Sequence, residues 1–206
     1  MLFKNFLEIL SNYKFNLIKI IFYEFLYILR GYNGNKFISS KNDRMTHNFP
    51  CPYFFLIKIE KALKQENFNI FMDLGCGSGR VINFFNKKFL NKKYIGVEYF
   101  TEYSNYCKNV FKKNNNIEII QSDFTKINLE HFKVDCFFFN SPMSNERESL
   151  NFLKKVKSSI KPNKHIILIF INYNTKLLEF LSGDKCLDSY YMNQTKGYSI
   201  YQVSSK

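Results

Sequence analysis

The sequence contains no tryptophan, a single alanine (Ala62), four prolines and eight glycines. So little glycine and proline excludes a collagen-like repeat or a chain dominated by linkers. Arginine is scarce too: Arg30, Arg44, Arg80 and Arg147 are four of 30 basic residues. That scarcity argues against reading the net charge of +13 as a nucleic-acid surface, because arginine supplies the bidentate contacts to bases and phosphates. Lysine, asparagine, isoleucine, phenylalanine and tyrosine dominate, all with AT-rich codons, so part of the basicity follows from base composition. The five cysteines (Cys51, Cys76, Cys107, Cys136, Cys186) contain no CxxC pair, and His47, His131 and His165 lie far apart. This pattern implies neither a disulfide framework nor a metal site, and it predicts a reducing, cytoplasmic compartment.

With 206 residues, 46% apolar and 18% aromatic, the chain can bury a core of its own and predicts one domain with an extension. Residues 1–30 are strongly apolar. A spanning helix needs about 20 uninterrupted apolar residues, and the densest run, Phe15 to Leu29, is broken by Lys19 and Glu24. No small-residue cleavage site follows, so the segment is not read as a signal peptide. It predicts one or two helices that bury most of their circumference. Three roles stay open: a layer packed on the main domain, an interfacial membrane helix, or a dimerisation surface. Residues 31–52 read as a connecting loop. The division is 1–48, a helical extension and loop that caps the site, and 49–206, the main domain.

From residue 53 helix and strand signals alternate. Tyr53–Gln65, Arg80–Leu90, Thr101–Lys113 (N-capped by Thr101) and Glu146–Ser159 have helical periodicity. Ile70–Leu74, Tyr94–Glu98, Val134–Asn140 and His165–Asn172 are apolar runs and Ile117–Gln121 is β-branched and strand-like; the central ones lack alternation, as strands buried on both faces must. Lys185–Met192 and Tyr198–Ser204 are linked too briefly for a crossover and predict an antiparallel hairpin. The expected fold is α/β: a doubly wound, mostly parallel seven-stranded sheet with an antiparallel C-terminal hairpin and an N-terminal helical extension.

Between the first strand and its helix stands Asp73-Leu74-Gly75-Cys76-Gly77-Ser78-Gly79-Arg80. Glycines there let backbone approach a ligand, and the next helix offers free N–H groups. Arg80 replaces the third glycine of a dinucleotide loop, and no Gly-Lys-Ser/Thr follows as in a P-loop. Glu98 ends the next strand, 19 residues after the last glycine, and Asp123 follows the third in Gln121-Ser122-Asp123-Phe124.

This set of residues resembles the class I S-adenosylmethionine-dependent methyltransferases. The resemblance implies S-adenosylmethionine as cofactor, held by Asp73, Gly75, Cys76, Gly77 and Gly79, with Glu98 on the ribose hydroxyls and Asp123 on the adenine amino group. Phe124 would flank the adenine or serve packing. Phe49-Pro50-Cys51-Pro52-Tyr53 is similar to a Thr-Pro-Tyr-like segment in a group of small bacterial methyltransferases, distantly like the histone-lysine type, where it lines the pocket near the cofactor carboxylate. Cys51 stands where a hydroxyl residue is usual. Asn140-Ser141-Pro142-Met143 resembles an Asn-Pro-Phe variant more than the Asn-Pro-Pro-Tyr of nucleobase and glutamine methylases.

Asn140 therefore stands as both cofactor contact and catalytic candidate. An oxygen acceptor also needs a general base, for which His47 is named first, then Tyr53 and Asp43. The acceptor implied is a sugar, another small metabolite or a protein side chain. RNA drawn to the lysine surface, or an inactive cofactor-binding partner subunit, are the alternatives.

Overall fold

The computed structural model describes residues 17–32, 50–140, 146–172, 179–191 and 197–204. Helix α1 (Leu17–Leu29) precedes α2 (Tyr53–Leu63). Then follow β1 (Ile70–Leu74), α3 (Arg80–Lys88), β2 (Lys93–Glu98), α4 (Thr101–Phe111) and β3 (Ile117–Gln121). A 3-10 turn at Phe124–Lys126 and the short α5 (Leu129–Phe132) lead to β4 (Cys136–Asn140), α6 (Glu146–Ser158), β5 (His165–Ile171), β6 (Lys185–Tyr191) and β7 (Gly197–Ser204).

The seven strands form one sheet in the order β3-β2-β1-β4-β5-β7-β6. Strands β1 to β5 are mutually parallel, and β7 runs antiparallel to both β5 and β6. The expected architecture is the observed one, although the hairpin link at 192–196 lies outside the described residues. Alternate side chains of each central strand go to opposite faces. Phe71, Cys136, Phe138, Ile167 and Ile169 join the layer of α1 to α4, whereas Met72, Leu74, Phe137, Phe139, Leu168 and Phe170 join Phe152, Leu153 and Val156 of α6. Neither face meets water, which accounts for the unbroken apolar runs.

Two local readings change. Thr101 is the first helical residue of α4 and not its N-cap, which is Phe100. The Thr101 hydroxyl instead accepts from Gln121 Nε2 at 2.6 Å, so it is taken by the neighbouring strand end. The 3-10 turn and α5 are additions; Asp123 and Asn128 start them by accepting from the amides of Thr125 and Glu130, the usual use of short polar side chains at such ends.

The chain runs outward from β1 to β3 and returns to β4, so the order reverses between β1 and β4. Ligands of open parallel sheets bind outside the carboxyl ends at such a reversal. Leu74 pairs with both Val97 and Phe139, which sets the turn after β1 between Glu98 and Asn140.

Gly96 makes this arrangement possible. A Cβ there would lie 2.6 Å from Ile82 Cδ1 and 2.8 Å from both Cys76 Sγ and Ile119 Cδ1. Gly96→Ala is expected to cost about 1–3 kcal/mol, the range for overpacking a filled core, read as a lower urea midpoint. An unchanged midpoint would show that α3 is not packed against β2 through this position.

Candidate cofactor site

The turn from β1 to α3 is held before any ligand arrives. Gly75, Gly77 and Gly79 have φ of 79°, 52° and 78°, a region other residues enter at a cost. The amides of Gly75 and Cys76 donate to Val97 O at 2.9 and 3.1 Å. Glu98 Oε2 accepts from the Gly77 N–H at 2.8 Å, and Oε1 from the Phe100 N–H at 2.9 Å. Glu98 is buried, at 6% exposure. Burial pushes its carboxyl upward, while the amides of Phe100, Gly77 and Tyr99 pull it down. It is the anchor of the turn as well as a strand-end acid.

The sulfur and the third glycine face the core. A Cβ on Gly79 would meet Phe111 Cε2 at 2.6 Å and Cys107 Sγ at 3.1 Å, so this glycine brings α4 close under the turn. Cys107 Sγ donates to Gly77 O at 3.1 Å. Cys76 is buried, and its thiol is raised first by a hydrogen bond with Cys107 and then by burial. Its side chain supports the turn from below.

Three buried polar groups beside the turn have no partner among the described residues: Asp73 Oδ2, Arg80 Nε and Tyr53 OH. Burial, followed by the charge of Glu98, raises the Asp73 carboxyl to about 8. Arg80 Nη1 donates to Glu24 Oε1 and Oε2 at 3.0 and 2.8 Å and to Cys51 O at 3.2 Å. Its guanidinium lies 4.7 Å from the centre of the Tyr53 ring. The Cys51 thiol, raised first by burial, also feels the charges of Arg80, Glu24 and Asp73, so it lies among them. Asp73 Oδ2 is a carboxyl oxygen without a partner, an acceptor once ionised; Arg80 Nε and Tyr53 OH are donors waiting for an acceptor.

The remaining candidates are spread along the same sheet edge. Asp123 is half-buried, and its Oδ1 accepts from Thr125 N at 3.0 Å and Thr125 Oγ1 at 2.7 Å. Phe124 is buried, its ring edge-on to Phe152 at 5.1 Å, which makes it packing between β3 and α6. Asn140 ends β4 half-buried beside the turn. Tyr53 is fully buried and stacks on Tyr27 at 4.7 Å. Burial pushes its hydroxyl up to about 12, so at neutral pH it stays protonated and serves as a donor rather than a general base. His47, Asp43 and Ser141 to Met143 lie outside the described residues.

Sequence reasoning missed three residues here. Arg80 was seen only as the glycine that is absent, Glu24 only as a break in an apolar run. Tyr99 is 65% exposed directly after Glu98, and its place beside the strand-end acid was the available signal.

The Asp73 carboxyl fixes a pH dependence. In the unfolded chain it ionises near 3.8, and in the folded protein near 8. Between those values unfolding releases a proton, so stability falls as pH rises from about 4 to about 8 and levels off above. Asp73→Asn is expected to flatten that slope by an amount on the order of a few kcal/mol, measured by urea unfolding at a series of pH values. The same slope in wild type and variant would remove the assignment.

Residues 71–163 match the family model described as a methyltransferase domain. No curated protein matches the chain significantly in sequence. Among solved structures, human N-acetylserotonin methyltransferase in complex with SAM is similar at a TM-score of 0.58 and 14% identity, over 73% of this chain and 52% of that one. The chain thus spans about half of the human enzyme's length. The N-methyltransferase NodS from Bradyrhizobium japonicum, in complex with S-adenosyl-L-homocysteine, has a TM-score of 0.59 at 7% identity, over 80% of this chain and 93% of that one. The precorrin-6y C5,15-methyltransferase of Geobacter metallireducens has 0.54 at 17%, over 83% and 95%. Such distant likenesses carry the fold, that of S-adenosylmethionine-dependent methyltransferases, and the family match places a methyltransferase domain at residues 71–163.

Proposed function

We propose that the crevice between β1 and β4 holds S-adenosylmethionine with its amino-acid end at Asp73, Arg80 and Tyr53, and that the methyl group passes to a small metabolite, such as a sugar, or to a protein side chain brought up to Asn140. The observation that carries this reading is the cluster of orphaned polar atoms. An α-amino acid presents an ammonium and a carboxylate together. The ammonium answers Asp73 Oδ2, and the carboxylate answers Arg80 Nε and Tyr53 OH. Burying such groups unpaired costs free energy, and a zwitterion matches the two kinds of need at once.

Glu98 accepts from the amides of Gly77 and Phe100, with that of Tyr99 beside them, and a carboxylate's four lone-pair sites leave one for a ribose hydroxyl. Asp123 has a second oxygen beyond the one used by Thr125, which suits the adenine amino group. With Phe124 committed to Phe152, the exposed Tyr99 ring is the better flank for the purine. The cofactor supplies a methyl group on a sulfonium, a good leaving group. The protein's task is then to align the acceptor and exclude water. Asn140 suits the aligning role because its carboxamide can both donate to and accept from an approaching hydroxyl or amine. Five unpaired cysteines support a cytoplasmic location, and among the described residues no helix is long and apolar enough to cross a membrane.

Calorimetry with S-adenosylhomocysteine tests the site. Tyr53→Phe is expected to raise the stability of the free protein by up to about 1–3 kcal/mol, because an unpaired hydroxyl is removed, while weakening ligand binding. A variant that binds like wild type would detach Tyr53 from the cofactor. Glu98→Ala is expected to lose about 1–3 kcal/mol of binding, and wild-type affinity would remove the ribose role.

The acceptor is found by adding methyl-labelled cofactor to fractionated lysate. Label in small molecules or protein is the expected outcome. Label in RNA, weakened steeply by salt, would move the acceptor to nucleic acid. Tight cofactor binding with no label in any fraction would favour an inactive partner subunit.

A further inference from the structure

Helix α1 is apolar on two sides, and the domain uses only one. Ile20 and Tyr27 are buried against the core, Tyr23 and Leu26 pack beside them, and Glu24 is clamped by Arg80. The opposite side carries Ile18 at 85% exposure, Phe22 at 58%, Phe25 at 62% and Leu29 at 67%, with Ile21 and Ile28 beside them. Their spacing of three and four residues makes a single stripe. The other exposed large apolar residues among those described, Leu90, Tyr99 and Tyr191, stand apart on other elements. Nothing among the described residues covers the stripe.

We propose that this outer face of α1 docks onto the surface of an anionic lipid bilayer, lying in the interface with its apolar side chains immersed. Three observations favour lipid over another occupant. The stripe contains no polar side chain that could specify a protein partner, whereas protein interfaces carry hydrogen bonds at regular density. Its flanks are basic: Lys19 and Arg30 are exposed, eleven residues apart and so about three turns, on one edge of the stripe. Lys87 joins them at the end of α1, donating to Gly31 O at 3.0 Å. Glu24, the helix's sole acid, is turned inward, and the chain carries +13 overall.

The third observation is size. A helix of 13 residues is about 20 Å long and about 10 Å across, a footprint of roughly 200 Å². A stable dimer buries about 800 Å² per partner, and two chains of +13 repel. An interfacial helix needs only immersion by about 5–10 Å together with attraction to anionic headgroups. This inference stands on α1 alone and does not depend on which acceptor is methylated.

The full chain is sedimented with vesicles of equal parts phosphatidylcholine and phosphatidylglycerol, and separately with phosphatidylcholine alone. Binding to the mixed vesicles is expected, weaker at ~150 mM than at ~20 mM salt because headgroup attraction is screened, with little binding to the neutral ones. The double variant Phe22→Ser/Phe25→Ser should lose roughly tenfold or more in affinity, since two immersed rings are removed. Its thermal unfolding and S-adenosylhomocysteine binding should be unchanged. Ile18→Ser, at the most exposed position, gives a second reading if the double variant folds poorly.

Absence of binding to anionic vesicles, or binding indifferent to both variants, overturns the proposal. A concentration-dependent dimer in sedimentation velocity, dissolved by Phe22→Ser/Phe25→Ser, would assign the face to a second copy. Loss of stability in both variants would assign it to residues 1–16 of the same chain.

Discussion

The hydrogen bond from the Gly77 amide to the Glu98 carboxylate is the contact on which the cofactor site depends. It joins the middle of a glycine turn to the end of the neighbouring strand. With the amides of Gly75 and Cys76 also tied to Val97, the turn has one shape and cannot drift over the crevice. A carboxylate buried at this depth is tolerated because backbone amides surround it. The same geometry leaves a lone-pair site for a sugar hydroxyl. One residue thus holds the turn and, in the proposed reading, also meets the ligand.

A second constraint acts from the extension. Glu24 accepts from the Arg80 guanidinium and from the Tyr53 amide at the start of α2, where the free N–H groups and the helix dipole favour an anion. Three separate stretches of chain meet at one carboxylate. Arg80 follows the last glycine of the turn, so Glu24 ties the first described helix to the candidate site. The aromatic stack of Tyr27 on Tyr53 completes this joint. What remains of α1 is a stripe of large apolar side chains facing outward.

Asp73, Arg80 and Tyr53 set orphaned polar atoms into a core that is otherwise mostly apolar. Elsewhere both sheet faces are filled by phenylalanine, isoleucine and leucine. Orphaned buried polar groups lower the stability of the free protein. A ligand that carries both charges, as proposed above, would complete them.

Much of the architecture was legible in the sequence. Apolar runs such as Cys136–Asn140 and His165–Ile171 name strands covered on both faces, and the brief link between β6 and β7 dictates a hairpin. The Asp73 to Arg80 segment with Glu98 and Asp123 carried the resemblance to the methyltransferase family, because glycine and carboxylate spacing along successive strand ends is local information. The roles of individual side chains were decided only by tertiary packing. Phe124 turned to Phe152, Thr101 to Gln121, Gly79 to Phe111 and Tyr53 into an aromatic cluster, each because a neighbour remote in sequence offered the contact. Glu24 and Arg80, which lie 56 residues apart, could be paired only by the fold. Sequence periodicity determines which faces are buried, whereas which buried groups meet is a property of the assembled layers.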